Sequence, residues 1–548
     1  MRGSIRASLT ALLLAAAPAA AQQGHGAAPA TEVPPPLYGD LGTWTHHVTA
    51  TPEAQLFFDQ GLRLYYGFNH AEAIRAFRQA ARLDPDCAMA WWGVAISSGP
   101  NINIPMDEAG GKAALEAMGK AVALEEKVSP DDRAYIEALK VRYSADPKAS
   151  RAALDTAYCA SMRALWKARP DDADAGTLYA ESILDLNPWN QWTHDGQPNP
   201  GTLDATSTLE AVLKAHPDQP GANHFYIHAV EASPNPERAN ACAKRLETLV
   251  PGAGHLVHMP SHIYARTGRY EDAVQRNRVA AAVDEKYIAD QKPEGVYPLM
   301  YYNHNIQFIW FAAMMEGRSA ESLAAAKKIV VNLPPELIAQ MPMMELAPPY
   351  PILTLIRFGR WDEALQMPLP PASERFATGL FHYARGMASA AKGDAAGAQA
   401  ALDSLRAAQA LVPADLLISI NAGGMLLRVA DHALEGEIAA RAGRWDEAIQ
   451  HLRLGVAAED SLHYDEPPTW YAPVRQWLGV TLLKAGRAKD AEAVYREDLR
   501  RHPENGWSLR GLANALKAEG RAKDAAAVEA RFAKAWARAD VKLAASAF

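Results

Sequence analysis

Apolar and polar residues along this chain do not alternate with the two-residue period of a β-strand over any useful length. Instead, one phrase recurs: a glycine, a spacer, an aromatic or small residue, two further residues and an alanine. It reads GRYEDA at 268–273, GRWDEA at 359–364 and 443–448, and GRAKDA at 486–491 and 520–525, with FNHAEA at 68–73 as a variant. About a dozen residues after such a phrase a proline follows, as at Pro85, Pro251, Pro334 and Pro503. The pattern predicts an all-α protein built from repeated helical hairpins.

This pattern resembles the tetratricopeptide repeat, a helix–turn–helix unit of about 34 residues whose small residues let the helices pack closely. Gly359 and Gly393 are separated by one such period, as are Gly486 and Gly520, whereas longer intervals elsewhere indicate insertions. The match covers most of residues 52–535 and is least regular over 100–215. The resemblance implies an all-α, tetratricopeptide-type solenoid, a right-handed superhelix of about nine to eleven repeats with insertions.

The chain divides into five predicted segments. Residues 1–21 are interpreted as a signal peptide, because Arg2 and Arg6 precede a short apolar run that ends in small residues. Residues 22–45 are rich in Ala, Pro, Gly and Gln and are predicted to be a disordered leader. The remaining segments are N-terminal repeats with insertions (46–215), central histidine-rich repeats (216–335) and C-terminal repeats (336–548). We therefore expect an exported protein, periplasmic or secreted.

Charge and hydropathy narrow the choice of partners. The formal net charge is −8 and no run of Lys or Arg occurs, which argues against nucleic acid. No stretch offers about 18 uninterrupted apolar residues, so we expect no membrane span. HExxH, CxxC and P-loop signatures do not occur. The expected ligand is therefore a small molecule or a peptide in the concave groove of the solenoid, with a protein as a further candidate partner.

Histidines occupy the positions that would face this groove. The resemblance implies that positions two, five, nine and twelve of a repeat's first helix point into the groove. Helical geometry agrees, because steps of three and four residues keep side chains on one face. The repeat that begins at Pro220 places His224, His228 and Glu231 in the groove. The next repeat, which begins at Gly254, places His255, His258 and His262 there. The third, which begins at Asn303, adds His304 and Gln307.

The number of histidines in these positions exceeds what composition alone would give. Positions two, five and nine of the three repeats make nine slots, and six hold His, although the chain has only 17 His in 548 residues. Duplication of one helix would explain the pairs His224/His228 and His258/His262, which lie one repeat period apart, without any metal. Duplication does not explain His255 and His304, which occupy a different slot.

The histidine cluster predicts a transition-metal site. The predicted ligands are His224, His228, His255, His258, His262 and His304. Copper or zinc, with iron as a further candidate, suits imidazole ligands better than magnesium or calcium, which prefer oxygen. Glu231 is predicted as the catalytic general base. Two other roles fit the same position: a metal ligand, or a residue that orients one of the histidines.

Further groove residues are predicted to contact a substrate. These are Glu181, Arg266, Tyr301, Tyr302 and Gln307. Glu181 falls opposite His228 when the preceding repeat is aligned by its proline, and Arg266 lies one turn beyond His262. The insertion at 188–200 would either pack onto the solenoid through Trp189 and Trp192 or cap the groove.

Two classes of function remain open at this point. In the first, the groove binds a transition metal, either in a hydrolase or oxidoreductase or in a non-enzymatic carrier, sensor or structural site. In the second, the protein is a non-catalytic scaffold that binds a peptide or a protein partner, a common use of such solenoids. The fold alone does not separate the two, because function depends on the site.

Overall fold

The computed structural model describes residues 33–548, most of which are helical. The predicted signal peptide, residues 1–21, lies outside the described residues. The N-terminal part contains α1 (Pro52–Tyr66), α2 (His70–Leu83), α3 (Ala88–Ser97), α4 (Glu108–Ala123), α5 (Pro130–Lys140), α6 (Arg151–Ala168), α7 (Ala173–Leu186) and α8 (Thr202–Ala215). A short 3₁₀ helix, Glu125–Lys127, precedes α5.

The central part carries the histidine-rich helices. These are α9 (Pro220–Val230), α10 (Asn240–Leu249), α11 (Gly254–His258), α12 (Pro260–Arg266), α13 (Tyr270–Gln291), α14 (Tyr302–Met315) and α15 (Ser319–Asn332). A 3₁₀ helix, Pro236–Ala239, precedes α10, and a π-helical turn, Tyr297–Tyr301, leads into α14. Each helix packs against its neighbour in sequence, as expected for stacked hairpins.

The C-terminal part continues the array. Its helices are α16 (Pro335–Gln340), α17 (Tyr350–Arg357), α18 (Trp361–Gln366), α19 (Arg375–Ala391), α20 (Ala395–Gln409), α21 (Gly423–Arg441), α22 (Trp445–Asp460), α23 (Val474–Lys484), α24 (Ala488–Arg501), α25 (Gly506–Ala518) and α26 (Ala522–Ala535), with a 3₁₀ helix at Pro342–Leu346. Two short strands, β1 (Leu417–Ile418) and β2 (Asn421–Ala422), pair antiparallel, Leu417 with Ala422 and Ile418 with Asn421. The predicted all-α solenoid is confirmed. Within residues 33–548, no helix combines the length and apolarity needed to cross a membrane.

The recurring phrase marks the turn between the two helices of a hairpin. Gly268 and Gly443 have φ angles of +76° and +73°, a left-handed conformation that L side chains rarely adopt. The second helix begins two residues later, at Tyr270 in one hairpin and at Trp445 in the other. The alanine that closes the phrase is buried, as at Ala273, where a small side chain lets the paired helices approach closely.

The described part of the predicted disordered leader, residues 33–45, contains no helix or strand. Its side chains contact the N-terminal helices. Trp44 Nε1 donates a hydrogen bond to Asp174 Oδ1 (3.1 Å), and the hydroxyl of Tyr38 donates to Glu72 Oε1 (2.9 Å). The Pro- and Gly-rich composition suggested disorder, but aromatic side chains with polar ends find partly buried acceptors here.

The C-terminal repeats pack back against the central ones. Trp507 Nε1 donates to the carbonyl oxygen of Met314 (2.9 Å), and Arg266 Nη1 donates to that of Arg501 (3.2 Å). This closure covers the face that was predicted to be the concave groove. The histidines that were expected to line a groove are therefore in the interior, and His258 is completely buried.

Candidate metal centre

Six histidines from four helices meet inside the central repeats. They are His224 and His228 on α9, His255 and His258 on α11, His262 on α12, and His304 on α14. His304 is partly exposed and the other five are buried. All six side chains that were predicted as metal ligands are thus brought together.

The side chains form two groups of three. One group is His224, His228 and His255, and the other is His258, His262 and His304; in each, one ring nitrogen per residue lies within 4.8 Å of the others. The closest approaches are between Nε2 atoms, at 3.2 Å for His224 and His255 and 2.8 Å for His258 and His262. This spacing is compatible with several imidazoles on one ion.

The outer ring nitrogens of the cluster are held by acceptors from the surrounding helices. His224 Nδ1 lies 2.7 Å from the carbonyl oxygen of Tyr66, to which it donates. His258 Nδ1 donates to Asn277 Oδ1 (2.6 Å), and the Asn277 amide nitrogen donates in turn to Ser261 Oγ (2.7 Å). These contacts set the tautomer of His224 and His258: the proton is on Nδ1, and Nε2 carries a lone pair that is free to bind a metal.

Glu231 connects the two groups of histidines. It follows α9 directly, and its two carboxylate oxygens accept from Nδ1 of His228 (2.7 Å) and Nδ1 of His262 (2.6 Å). Burial acts to raise the pKa of Glu231, but its interactions with His262 and His228 outweigh burial and lower the pKa to about 2. Both oxygens are engaged, so these contacts favour an orienting role for Glu231, and its role as a general base stays a prediction.

Burial keeps most of these imidazoles neutral. Burial, reinforced by the neighbouring histidines, lowers the pKa of His224, His255 and His258 well below 6.5. The same two effects lower the pKa of His304 to about 3. His262 is the exception: burial acts to lower its pKa, but the carboxylate of Glu231 outweighs burial and raises it. Neutral imidazole is the form that binds a metal.

The short Nε2 distance between His258 and His262 needs a proton or a metal ion between the two rings. If Nδ1 of His258 and of His262 both carry protons, their Nε2 lone pairs face each other at 2.8 Å, which is repulsive. A proton held by His262 beside Glu231 would relieve this repulsion, and so would a metal ion. Two imidazole nitrogens bound to one Zn²⁺ at about 2.0–2.1 Å would lie roughly 3.3 Å apart, close to the 3.2 Å between His224 and His255.

The histidines border a cavity of about 930 Å³. His228, His255, His262 and His304 lie in its lining, and Nε2 of His228 has no hydrogen-bond partner among the described residues. Trp189, from the 188–200 insertion, lines the cavity and its ring lies edge-on to His228. The insertion packs onto α9, where Trp192 Nε1 also donates to the carbonyl oxygen of Ala229 (2.8 Å), and its role as a cap stays a prediction.

Two of the predicted groove residues reach the cavity. Tyr301 lines it, with its ring 4.9 Å from that of His255. Gln307 lines it as well, where its amide nitrogen donates to the hydroxyl of Tyr350 (2.8 Å) and its amide oxygen lies 3.3 Å from His304 Nδ1. Both positions agree with the prediction of contacts to a bound molecule, which stays a prediction.

Three of the predicted groove residues lie outside the cavity lining, and their contact with a bound molecule stays a prediction. Arg266 donates to the carbonyl oxygens of Glu231, Ser233 and Arg501, so its guanidinium is bound to backbone and not free for an anion. The hydroxyl of Tyr302 donates to Glu285 Oε1 (2.8 Å), outside the cavity lining. Glu181 also lies outside this lining: it accepts from the hydroxyl of Tyr65 (2.6 Å), and burial raises its pKa to about 8.

Phe68 belongs to the site but was not predicted. Its ring lies 4.5 Å from that of His224 and 5.2 Å from that of His255. Its φ is +55°, in the left-handed region. The sequence contains the signal, because Phe68 occupies the place in FNHAEA that glycine takes in the other copies of the phrase. A bulky side chain held in this conformation is a known feature of functional sites.

A loop from the C-terminal repeats also reaches the histidines. The hydroxyl of Tyr464 donates to Glu466 Oε1 (2.6 Å) and lies 3.4 Å from Glu231 Oε2. Asp465 and Glu466 line the cavity. No local pattern indicates this contact, because Tyr464 and Glu231 are 233 residues apart and meet only when the solenoid closes.

Outside this centre, two smaller groups of possible ligands occur in the described residues. His432, Glu435 and His451 lie together on α21 and α22, partly exposed, and Glu435 is also paired with Arg406. His46 lies with Asp172 and Asp174, but there the carboxylate of Asp174 already accepts from Tyr66, Trp44 and Gln219. The central cluster differs from both in its burial and in its number of histidines.

Comparisons with known proteins find similar chains among solved structures only. No protein-family model matches the chain, and the comparison with curated proteins finds no match. Among solved structures, the human IFIT1 dimer with m7Gppp-AAAA is similar over 89% of this chain and 90% of that chain, at 12% identity and a TM-score of 0.33. Yeast Tom70 is similar over 86% of this chain and 96% of its own chain, at 13% identity and a TM-score of 0.32. The Cut9–Hcn1 assembly is similar over 89% and 76%, at 12% identity and a TM-score of 0.30. At these scores the likeness carries no inference about ligands.

Proposed function

We propose that this protein is an exported solenoid that binds a transition metal through His224, His228, His255, His258, His262 and His304. One observation carries the proposal: acceptors hold Nδ1 of His224, His228, His258 and His262, and the Nε2 atoms of the cluster converge in pairs at 3.2 and 2.8 Å. Metal-binding histidines characteristically donate their other ring nitrogen to a carboxylate or carbonyl. The two groups of three suit two ions.

Copper or zinc is the metal class that this set of donors favours. All six proposed donors are imidazole nitrogens, and Glu231, the carboxylate between the two groups of three, accepts from His228 and His262. Magnesium and calcium need oxygen ligands that this cluster does not offer. Iron shares the preference for imidazole and is the third candidate.

The cavity supports a catalytic use of the metal. Because His228, His255, His262 and His304 line it, an ion held by them would be within reach of a molecule in the cavity. A bound Cu²⁺ or Zn²⁺ would supply Lewis acidity, or redox chemistry in the case of copper, to a hydrolase or an oxidoreductase. In this proposal, Glu231 holds the imidazoles of His228 and His262 in their metal-binding orientation.

Metal content tests the proposal. The protein is freed of metal with a chelator, loaded with Zn²⁺ or Cu²⁺ and dialysed, and bound metal is measured by elemental analysis. The expected result is one to two ions per chain in the wild type, about one fewer in His258→Ala/His262→Ala, and the wild-type number in His216→Ala/His382→Ala. The second variant is the matched control, because it also removes two histidines, and neither belongs to a group of possible ligands in the described residues.

Loss of folding is separated from loss of metal by a milder variant. His228→Gln keeps a polar side chain of similar size but removes the imidazole Nε2 lone pair that would bind the metal. Circular dichroism and thermal melting of each metal-free variant establish that it is folded. Sub-stoichiometric metal in the wild type under every loading condition would overturn the proposal and leave a scaffold for a peptide or protein partner. Wild-type metal content in folded His258→Ala/His262→Ala would overturn it as well.

A further inference from the structure

The cavity beside the histidines has an apolar body. Its volume of about 930 Å³ lies within the range of sites for small molecules, roughly 300–1,000 Å³. The apolar part of its wall includes Ile104, Met106, Met300, Leu333, Leu346 and Ile420. These residues come from four separate segments of the chain, so the space exists only in the closed solenoid. A wall of this kind stabilises an apolar ligand by removing its surface from water.

One end of the cavity is polar, and some of its polar atoms have no protein partner. Glu466 Oε2, Asn101 Nδ2 and His228 Nε2 are buried and have no hydrogen-bond partner among the described residues. All three residues lie in the cavity lining. A buried polar group without a partner costs about 1–3 kcal/mol, so a ligand that supplies the partner is favoured.

Contacts through neighbouring residues connect Glu466 and Asn101 to the histidines. Glu466 is linked to Glu231 through the hydroxyl of Tyr464, which lies 2.6 Å from one carboxylate and 3.4 Å from the other. Asn101 belongs to the short turn that contains Asn103, whose amide nitrogen donates to the hydroxyl of Tyr301 (3.4 Å). The ring of Tyr301 in turn packs against His255.

We propose that the cavity binds one small molecule with an apolar body and a hydroxyl at its polar end. A hydroxyl both donates and accepts, so it suits an unpaired carboxylate oxygen at Glu466 and an unpaired amide at Asn101. A carboxylate end has no proton to donate, so it could not supply the hydrogen bond that Glu466 Oε2 lacks. The inference rests on the proposed function in one respect: the hydroxyl end would lie beside the metal held by the histidines.

A competition experiment with an uncharged probe tests the inference on the full-length protein. N-phenylnaphthylamine fluorescence reports occupancy of the apolar wall, and decanol and decyl methyl ether compete with it. The ether has the same apolar chain but donates no hydrogen bond. The expected result is saturable probe binding and displacement by decanol at a concentration about ten-fold or more below that of the ether. Equal displacement by the two competitors, or no saturable probe binding, would overturn the inference.

Two pairs of variants locate the binding. Met300→Glu places a charge in the apolar wall and is expected to weaken probe binding about ten-fold or more, whereas Met300→Leu keeps it. Asn101→Asp keeps the oxygen that accepts from the backbone nitrogens of Asn103 and Ile104 but removes the unpaired N–H donor. This variant is expected to weaken the binding of decanol more than the binding of the probe. Wild-type behaviour of Met300→Glu and Asn101→Asp would overturn the inference.

Parallel measurement of metal content separates the two proposals. Selective binding of decanol by a protein that takes up no metal supports the cavity ligand and overturns the metal site. Stoichiometric metal uptake without probe binding supports the metal site and overturns the cavity ligand. Both measurements use the same purified sample, and melting curves establish that each variant is folded.

Discussion

Gly268 lies against the backbone of Pro503, so close that a Cβ atom added at Gly268 would be 2.6 Å from the carbonyl oxygen of Pro503. The two residues belong to the central and the C-terminal repeats. Their contact shows that the solenoid closes on itself, and this closure buries the histidines. A glycine whose sequence role is to form a helical turn therefore has a second role, because it allows two distant repeats to meet.

We expect Gly268→Ala to destabilise the protein more than Gly443→Ala. Both glycines have similar positive φ, which costs an alanine about 1–2 kcal/mol, but an alanine at 443 would contact nothing within 4 Å. At Gly268 the clash with Pro503 adds roughly 1–3 kcal/mol. Urea unfolding of both variants measures the difference. Equal loss of stability in the two would mean that the contact of Gly268 with Pro503 does not matter for closure.

Phe68 is expected to support metal binding by its ring and to cost stability by its backbone. Phe68→Ala and Phe68→Gly both remove the ring that packs on His224 and His255, so both should weaken metal affinity to a similar extent. The glycine variant should be the more stable of the two by about 1 kcal/mol, because glycine accepts positive φ. Metal titration and urea unfolding measure the two effects separately.

Phe532→Ala is the matched control for the Phe68 variants. Phe532 is also a buried ring, on α26, where it stacks on Trp536. Its truncation should lower the free energy of unfolding by about 3–5 kcal/mol without changing metal affinity while the protein is folded. If the Phe68 variants kept wild-type metal affinity, the ring would have a packing role only.

Glu231→Gln is expected to lower metal affinity about 10- to 100-fold. An amide offers one acceptor oxygen, whereas the carboxylate accepts from both His228 and His262, so one imidazole must lose its partner. Competition with a metal-binding dye measures the affinity. Glu247→Gln is the control, because Glu247 also accepts from an aromatic side chain, the hydroxyl of Tyr264, but outside the centre. Unchanged metal affinity in Glu231→Gln would show that Glu231 does not orient the metal-binding histidines.

The sequence predicts the histidine cluster because the relevant information is local. The spacing of His224 and His228, repeated one period later by His258 and His262, places each pair on one side of a predicted helix. In the structure Met259 separates His258, at the end of α11, from α12, which carries His262. The repeat phrase places neighbouring helices side by side. All-α structure and the convergence of six side chains follow from these two local patterns.

The rest of the site depends on contacts between distant residues, which a repeat pattern does not encode. Tyr464 and Glu466 reach the cluster only through closure of the solenoid. The same closure supplies Arg266 with the carbonyl oxygen of Arg501, so a side chain predicted for an anion binds backbone instead. Phe68 is an intermediate case: its departure from glycine is visible in the sequence, but the rings it contacts are not.

Asp284 is expected to make stability depend on pH. It is buried on α13, and its two oxygens accept from the hydroxyl of Tyr297 (2.9 Å) and the amide nitrogen of Asn305 (2.7 Å). Burial raises its pKa from 3.8 to about 7, and the hydrogen bonds offset burial only in part. The folded state holds this proton more tightly than the unfolded state. The stabilising contribution of Asp284 to the free energy of unfolding is therefore complete below pH 3.8 and is lost as pH rises towards 7.

Asp284→Asn should therefore remove part of the decrease in stability between pH 5 and pH 7. The amide stays neutral, so the free energy of unfolding of this variant should fall less over that interval than that of the wild type, by roughly 1–3 kcal/mol. Urea unfolding at both pH values gives the two slopes. Asp290→Asn, on the same helix but exposed and paired with Lys286, should keep the wild-type slope. The same slope in Asp284→Asn as in the wild type would show that the proton on Asp284 does not contribute, and the pH dependence would then belong to other buried carboxyls such as Glu181 and Glu466.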